Sequence, residues 1–142
     1  MNTFLLEILT PEEPFFRGEC ASLVIPTGDG MLGIMANRAP LTAAIHHGAI
    51  FYSLPDGSRR ICAVERGMIT FSGNRARVLC ESAVAPDAID VEAEKRALAE
   101  AEAELSEKRS NEEYLLSQLA FARAFNRLRV KESAENRKDR EP

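Results

Sequence analysis

The second part of this chain lacks the residues that form turns. The last glycine is Gly73, and no proline occurs between Pro86 and the terminal Pro142. All eight glycines and six of the seven prolines therefore lie in the first 86 residues. Turn residues separate the strands of a sheet, and their absence lets a helix continue. The sequence therefore predicts a β domain over residues 1–86, a helical domain over residues 87–132, and a disordered tail over the polar residues 133–142.

Long apolar segments are also missing. No run approaches the roughly 18 apolar residues that a membrane span needs. The first residues lack the basic head and apolar stretch of a signal peptide. We therefore expect a soluble, intracellular protein. The cysteines show no close pair and no zinc spacing with histidine, so we expect buried free thiols at Cys20, Cys62 and Cys80.

No catalytic or metal-binding pattern stands out. His46 and His47 are adjacent, so on a strand they point to opposite faces and cannot share a metal. No nucleophile elbow and no recognisable carboxylate pair is present. Residues 28–33 match the dinucleotide-binding pattern G-x-G-x-x-G, but the segment up to Pro40 is too short for the helix that must receive a pyrophosphate. We expect a loop there, and no catalytic residue, metal or cofactor.

The first 85 residues contain short apolar runs with a turn signal every eight to twelve residues. The segments 55–58 and 72–74 suit hairpin turns, because Gly and Asn accept a positive φ at low cost. Many short, evenly spaced strands predict a sandwich or a barrel. The predicted strands are residues 4–9, 22–25, 49–54, 61–64, 68–71 and 75–80.

The last 55 residues predict two helices. The first begins after Pro86 and runs to about residue 109, with alanines every four residues that allow another helix to approach closely: Ala93, Ala97 and Ala101. Ser110 and Glu113 form a capping box that starts a second helix over about 111–129. A tight polar link between two helices predicts an antiparallel hairpin. The first helix has few large apolar residues, so this hairpin is expected to be marginally stable.

Charge is unevenly distributed over these helices. The whole chain carries a net charge of −4, which argues against a nucleic-acid partner. Residues 87–113 hold ten acids and four bases, whereas residues 114–131 hold no acid at all. Arg123, Arg127 and Lys131 recur every four residues and form one cationic stripe. We expect this stripe to contact the first helix or an acidic partner surface.

An ordered set of short motifs resembles the epsilon subunit of bacterial F-type rotary ATP synthases. The match extends over roughly residues 2–131. Its members are Gly30-Met31-Leu32-Gly33-Ile34, Arg38-Ala39-Pro40-Leu41, Gly48, Glu65-Arg66-Gly67-Met68, Asn74, Val78-Leu79, Ile89-Asp90 and Asn126-Arg127-Leu128.

The resemblance implies a fold and a role. It implies a β-sandwich of about ten strands followed by a two-helix C-terminal hairpin, in the central rotor stalk of a proton-translocating ATP synthase. The sandwich would bind the gamma subunit and the membrane ring of c subunits, with the loop of Gly30, Met31 and Leu32 facing the ring. The helices would extend toward the catalytic alpha/beta head and restrain ATP hydrolysis. Such a subunit is not an enzyme and is peripheral to the cytoplasmic face of the cell membrane.

Two departures from the family pattern matter. Some relatives bind ATP between their helices through an Ile/Leu-Asp-x-x-Arg-Ala motif and two arginines. The candidate contacts here are Ile89, Asp90, Arg123 and Arg127, but Ala93 and Glu94 replace the Arg-Ala pair, which makes ATP binding doubtful. Arg38 replaces the usual histidine before Ala39.

A second function class stays open from the sequence. The chain also suits a stand-alone β-sandwich binding module with a static coiled-coil arm for a partner. Co-purification with a gamma subunit separates this module from a rotor subunit.

Overall fold

A computed structural model of the chain describes residues 2–106 and 110–140, with side chains up to residue 136. The chain divides into two compact units, Met1–Val84 and Ala85–Pro142.

The first unit is a β-sandwich of ten strands in two five-stranded sheets. The strands are β1 (Phe4–Leu9), β2 (Pro14–Cys20), β3 (Ser22–Thr27), β4 (Gly30–Met35), β5 (Leu41–Ile45), β6 (Gly48–Ser53), β7 (Arg59–Val64), β8 (Gly67–Ser72), β9 (Arg75–Cys80) and β10 (Ala83–Val84). The first sheet has the strand order β2-β1-β9-β8-β5 and the second β10-β7-β6-β3-β4. Together with the two helices that follow, these sheets confirm the predicted fold class.

The glycine-rich segment corrects one prediction. Gly30 to Met35 form β4, which pairs antiparallel with β3, so the loop predicted through Gly33 is wrong. A pairing partner outweighs the low strand propensity of glycine at a sheet edge. No helix follows the glycines, as expected, because the next element is β5.

The sandwich core is formed by alternate residues of each strand. In β9, Ala76 and Val78 are fully buried whereas Arg75 and Arg77 are exposed. The rings of Phe4 and Phe71 meet edge to face with centroids 5.6 Å apart. The three cysteines are free and buried, as predicted. Burial raises the pKa of the Cys62 thiol to about 12.

Two residues of the resemblance set have clear structural roles in the sandwich. A Cβ on Gly67 would clash with the backbone oxygen of Leu79 and lie 2.7 Å from the Cα of Cys80. The close approach of β8 and β9 therefore requires glycine at position 67. Asn74 donates to the carbonyl of Thr3 and accepts from the N–H of Asn37, both at 2.8 Å. It thereby ties the β8–β9 turn to two distant segments.

The second unit begins with a 3₁₀ turn, Pro86–Ala88, followed by α1 (Val91–Leu105) and α2 (Asn111–Arg140). Asp90 caps α1, because its Oδ1 accepts the N–H of Ala93 at 3.1 Å. Ser110 caps α2, because its Oγ accepts the N–H of Glu113 at 3.2 Å. This bond is one half of the predicted capping box.

The ends of the helices differ from the sequence boundaries. α1 ends at Leu105, and the predicted continuation through 107–109 lies outside the described residues. α2 continues to Arg140, past the expected end near residue 129 and into the segment assigned to a disordered tail. No glycine or proline before Pro142 interrupts the helix.

Candidate functional site

The hairpin between β3 and β4 presents an apolar side chain at the end of the second sheet. Thr27 pairs with Gly30 across a two-residue turn, and Thr27 Oγ1 donates to the Gly30 carbonyl at 2.6 Å. Gly30 has a φ of +115°, which disfavours any residue with a side chain. Met31 follows it with 55% of its surface exposed, and Leu32 is half-buried. The three predicted loop residues therefore begin β4 at a corner of the sandwich, with Met31 exposed and Leu32 packed against the core.

A row of apolar side chains crosses the outer face of the first sheet. Leu9 is opposite Leu79, Leu79 is opposite Met68, and Met68 is opposite Ala44. We call these four residues the apolar row. Leu79 is 52% and Met68 49% exposed, which is high for large apolar residues in strands. Together with His46 and His47, the apolar row lines an open groove.

Charged residues occupy the adjacent row of the same face. Glu7 lies opposite Arg17 on β2 and opposite Arg77 on β9. Its Oε1 is 3.6 Å from Arg77 Nη2 and 3.8 Å from Arg75 Nε. The Glu7 side chain is only 10% exposed, whereas those of Arg75 and Arg77 are about half exposed. We call Glu7, Arg75 and Arg77 the arginine pair site.

Sequence reasoning missed this face, although a signal was present. Polar and apolar residues alternate at the start of the strand 75–80, and Leu79 falls on its exposed face together with Arg75 and Arg77. A large apolar residue among exposed arginines is the signal. The register that aligns Leu79 with Leu9 and Met68 is set by tertiary pairing and cannot be read from one strand.

The contact between α1 and α2 contains small and polar side chains. Ala101 of α1 and Ser117 and Ala124 of α2 are buried. Ser117 Oγ donates to Glu104 Oε2 at 2.9 Å. Small residues let two helices approach closely but bury little apolar area. The helices are therefore held by close approach and polar bonds more than by large apolar side chains.

Two members of the predicted cationic stripe bind within the second unit. Arg127 Nη1 lies 3.2 Å from Glu94 Oε1, with the two side chains 24% and 15% exposed. Lys131 Nζ donates to the carbonyl of Pro86 at 3.1 Å. Arg123 lies one turn before Arg127, is exposed, and also has an interaction. The stripe is thus turned in part toward α1 and the 3₁₀ turn before it.

Large apolar residues on α2 are left exposed. Exposed fractions of 44–61% are found for Tyr114, Leu115, Leu116, Leu119 and Phe125. Phe121 and Phe125 stack with ring centroids 6.0 Å apart, and the guanidinium of Arg129 lies 5.9 Å from the Phe125 ring. This surface combines apolar side chains and positive charge without an acid between residues 114 and 131.

The candidate nucleotide contacts have structural partners of their own. Ile89 is buried with 7% exposure, and the Asp90 carboxylate caps α1. Glu94 places a carboxylate oxygen next to the Arg127 guanidinium. Among the described residues, no group of three or more His, Cys, Asp or Glu is arranged to hold a metal ion. In the same residues, no helix has both the length and the apolar content to cross a membrane.

Comparisons with known proteins agree on one family. The family described as "ATP synthase, Delta/Epsilon chain, beta-sandwich domain" matches residues 3–86, and "ATP synthase, Delta/Epsilon chain, long alpha-helix domain" matches residues 87–132. An ATP synthase epsilon chain from Syntrophomonas wolfei is 36% identical over 131 residues, covering 92% of this chain and 96% of that one. Another from Persephonella marina is 37% identical over 130 residues, covering 92% and 90%.

A solved structure shows the same fold. A chain of the Euglena gracilis mitochondrial ATP synthase aligns with a TM-score of 0.76 at 18% identity, covering 84% of this chain and 76% of that chain. At this identity the likeness concerns the fold alone.

Proposed function

This chain belongs to the delta/epsilon family of ATP synthase subunits, as an epsilon chain, and we propose that it acts as a non-catalytic subunit of the central rotor stalk. In this role it couples proton flow to ATP synthesis and restrains ATP hydrolysis. It sits at the cytoplasmic face of the membrane and is held there by its partners in the complex.

The sandwich would make the permanent contacts with the other rotor subunits. The exposed apolar row on the first sheet suits a gamma subunit, because an apolar strip within a β-sheet face is a surface for stable protein contact. The corner of Gly30, Met31 and Leu32 suits the ring of c subunits, since it offers an apolar tip at one end of the sandwich. Docking at two separate places would fix the sandwich to the rotor.

The helical unit would restrain ATP hydrolysis. The observation that carries this part is the contact between α1 and α2, where an ion pair and a serine bond accompany small side chains. An acidic surface elsewhere can replace Glu94 in such a contact, while large apolar residues on α2 stay exposed in the closed hairpin. We propose that α2 leaves α1 and carries Arg123, Arg127 and Lys131 to an acidic surface on the catalytic alpha/beta head.

We infer that ATP does not bind between these helices. A phosphate group would have to compete with Glu94 for Arg127, since the carboxylate is already 3.2 Å from the guanidinium. Asp90 is engaged as a helix cap and adds a second negative charge beside the same end of α1. The residues therefore do not fit a nucleotide, and control of the hairpin is assigned to protein contacts.

Co-purification tests the proposal most simply. A tagged full-length chain, expressed in its own cells, should bring down gamma and the alpha and beta subunits. A tagged fragment of residues 1–86 should fold and bring down gamma as well, because all ten strands lie within it. Recovery of the full-length chain without any ATP synthase subunit would refute the rotor assignment and favour a stand-alone binding module.

A further inference from the structure

We propose that the outer face of the first sheet recognises its partner through two matched features: an apolar side chain placed on the apolar row, and a carboxylate bound by the arginine pair site. The inference rests on the proposed function, in which the sandwich docks on a gamma subunit. It specifies the chemistry that the gamma surface must offer at this contact.

The apolar half of the site is preformed. Leu9, Leu79, Met68 and Ala44 are held in one line by strand pairing, so their positions do not depend on side-chain flexibility. At the edge of the groove, Arg66 and Glu81 pair at 2.9 Å, with side chains 81% and 56% exposed. An exposed pair of this kind contributes little binding energy, so the apolar row carries this half of the contact.

The charged half of the site contains guanidinium donors that Glu7 does not use. Glu7 Oε1 is buried and has no hydrogen-bond partner within the described part of the chain. Arg75 and Arg77 are 3.8 Å and 3.6 Å away, which is close enough for attraction but too long for a hydrogen bond. Each guanidinium has five N–H donors, and the two side chains are about half exposed. One acid therefore faces two arginines, and the site keeps a net positive charge.

A carboxylate is the ligand that this arrangement fits. A guanidinium binds a carboxylate through two parallel N–H bonds, a geometry that lysine cannot provide. The sandwich contains no lysine, since the first lysine of the chain is Lys95. When a docked partner excludes water from this face, the charge-assisted bonds become stronger than they are on an open surface.

The spacing between the two halves is fixed by the sheet. Arg77 and Leu79 lie two residues apart on β9, and Glu7 and Leu9 lie two residues apart on β1. Two residues along a strand span about 7 Å. The partner must therefore carry an apolar side chain and an acid about 7 Å apart, as on alternate residues of a strand or successive turns of a helix.

The experiment measures binding of the full-length chain to purified gamma subunit at low and high salt. Leu79→Asp should weaken binding at least about tenfold at both salt concentrations, because it places a charge on the apolar row. The double change Arg75→Ala with Arg77→Ala should weaken binding about tenfold at low salt and flatten its salt dependence. Arg59→Ala, an exposed arginine on β7 of the second sheet, is the matched control and should bind as wild type does.

The outcomes separate the inference from the function on which it rests. If wild type binds gamma and the double arginine variant keeps both its affinity and its salt dependence, the charged half is wrong. If Leu79→Asp also binds normally, the whole face is wrong while the rotor role stands. If wild type does not bind gamma at all, the proposed function itself fails. Circular dichroism of each variant confirms that it is folded, and Leu79→Asn replaces Leu79→Asp if the latter is not.

Discussion

Glu94 of α1 and Arg127 of α2 form an ion pair between the two C-terminal helices, with Oε1 and Nη1 3.2 Å apart. The acid-rich helix α1 thus neutralises part of the positive charge on the acid-free segment of α2. Both side chains are largely buried, so losing this ion pair costs more than breaking an exposed pair. Opening of the hairpin breaks this pair, and another anion that binds Arg127 in place of Glu94 offsets the cost. The catalytic head is the proposed source of that anion.

The close contact at Ser117 gives the first prediction. Ser117→Ala removes one hydrogen bond to an exposed carboxylate and should lower the free energy of unfolding by no more than about 1 kcal/mol. Ser117→Leu should lower it by about 1–3 kcal/mol, since a large side chain separates the helices. Urea unfolding followed by circular dichroism measures both. Equal stability of the two variants would show that the helices do not approach closely at this position.

The buried thiols predict a loss of stability in alkali. Burial raises the pKa of Cys62 to about 12 and that of Cys80 to about 11, from an ordinary value of 9.0. The unfolded chain loses these protons first as the pH rises. The stability contributed by the neutral thiols is therefore fully present below pH 9 and is lost as the pH approaches 11 to 12.

The expected slope is about 1.4 kcal/mol per pH unit for each thiol within that window. Denaturant unfolding at successive pH values measures it. Cys62→Ala should make the decline shallower without abolishing it, because burial also raises the pKa values of Cys20, Tyr52 and Cys80. A free energy of unfolding that does not change between pH 9 and 10 would contradict the assignment. The native thiols should also resist alkylation at neutral pH until the chain is unfolded.

Met31 and Met35 form a matched pair for testing the ring contact. Both are exposed on β4, at 55% and 63%, and their side chains point to the same face of the strand. Met31→Asp should leave folding intact but uncouple proton transport from ATP synthesis in membranes. Met35→Asp, about 13 Å away along the strand, should leave both folding and coupling intact. Equal coupling in the two variants would place the ring contact elsewhere on the sandwich.

The strands that the sequence predicted correctly are those with two neighbours. All six predicted strands correspond to strands at interior positions of the two sheets. The four that it missed, β2, β4, β5 and β10, are the four sheet edges. β2 begins with Pro14 and contains Gly18, β4 contains two glycines, and β10 has only two residues, so their local patterns are poor strand signals. β5 and β10 pair with β8 and β7, which are not their neighbours along the chain.

The candidate surfaces were predictable to different degrees. Met31 could be found from the glycines around it, and the cationic stripe from its spacing of four residues. The partners of the stripe could not be predicted from the sequence. The pairing of Arg127 with Glu94 depends on the helix register, and Lys131 binds a backbone carbonyl. The apolar row needs the alignment of four strands, which no local pattern encodes.

The switch is tested most directly by neutralising each partner of the Glu94–Arg127 pair and measuring ATP hydrolysis by the reconstituted complex. Glu94→Gln removes the carboxylate that competes with the catalytic head for Arg127, so hydrolysis should fall below the wild-type rate. Arg127→Gln opens the hairpin too but removes a charge that the head requires, so hydrolysis should rise. Glu100→Gln, an exposed acid on the same helix, is the matched control and should match wild type. If the partners exchange, the hydrolysis rates of the two variants should change in opposite directions, and both changes should be smaller at high salt. Shifts in the same direction, or wild-type rates in both variants at low salt, would contradict it.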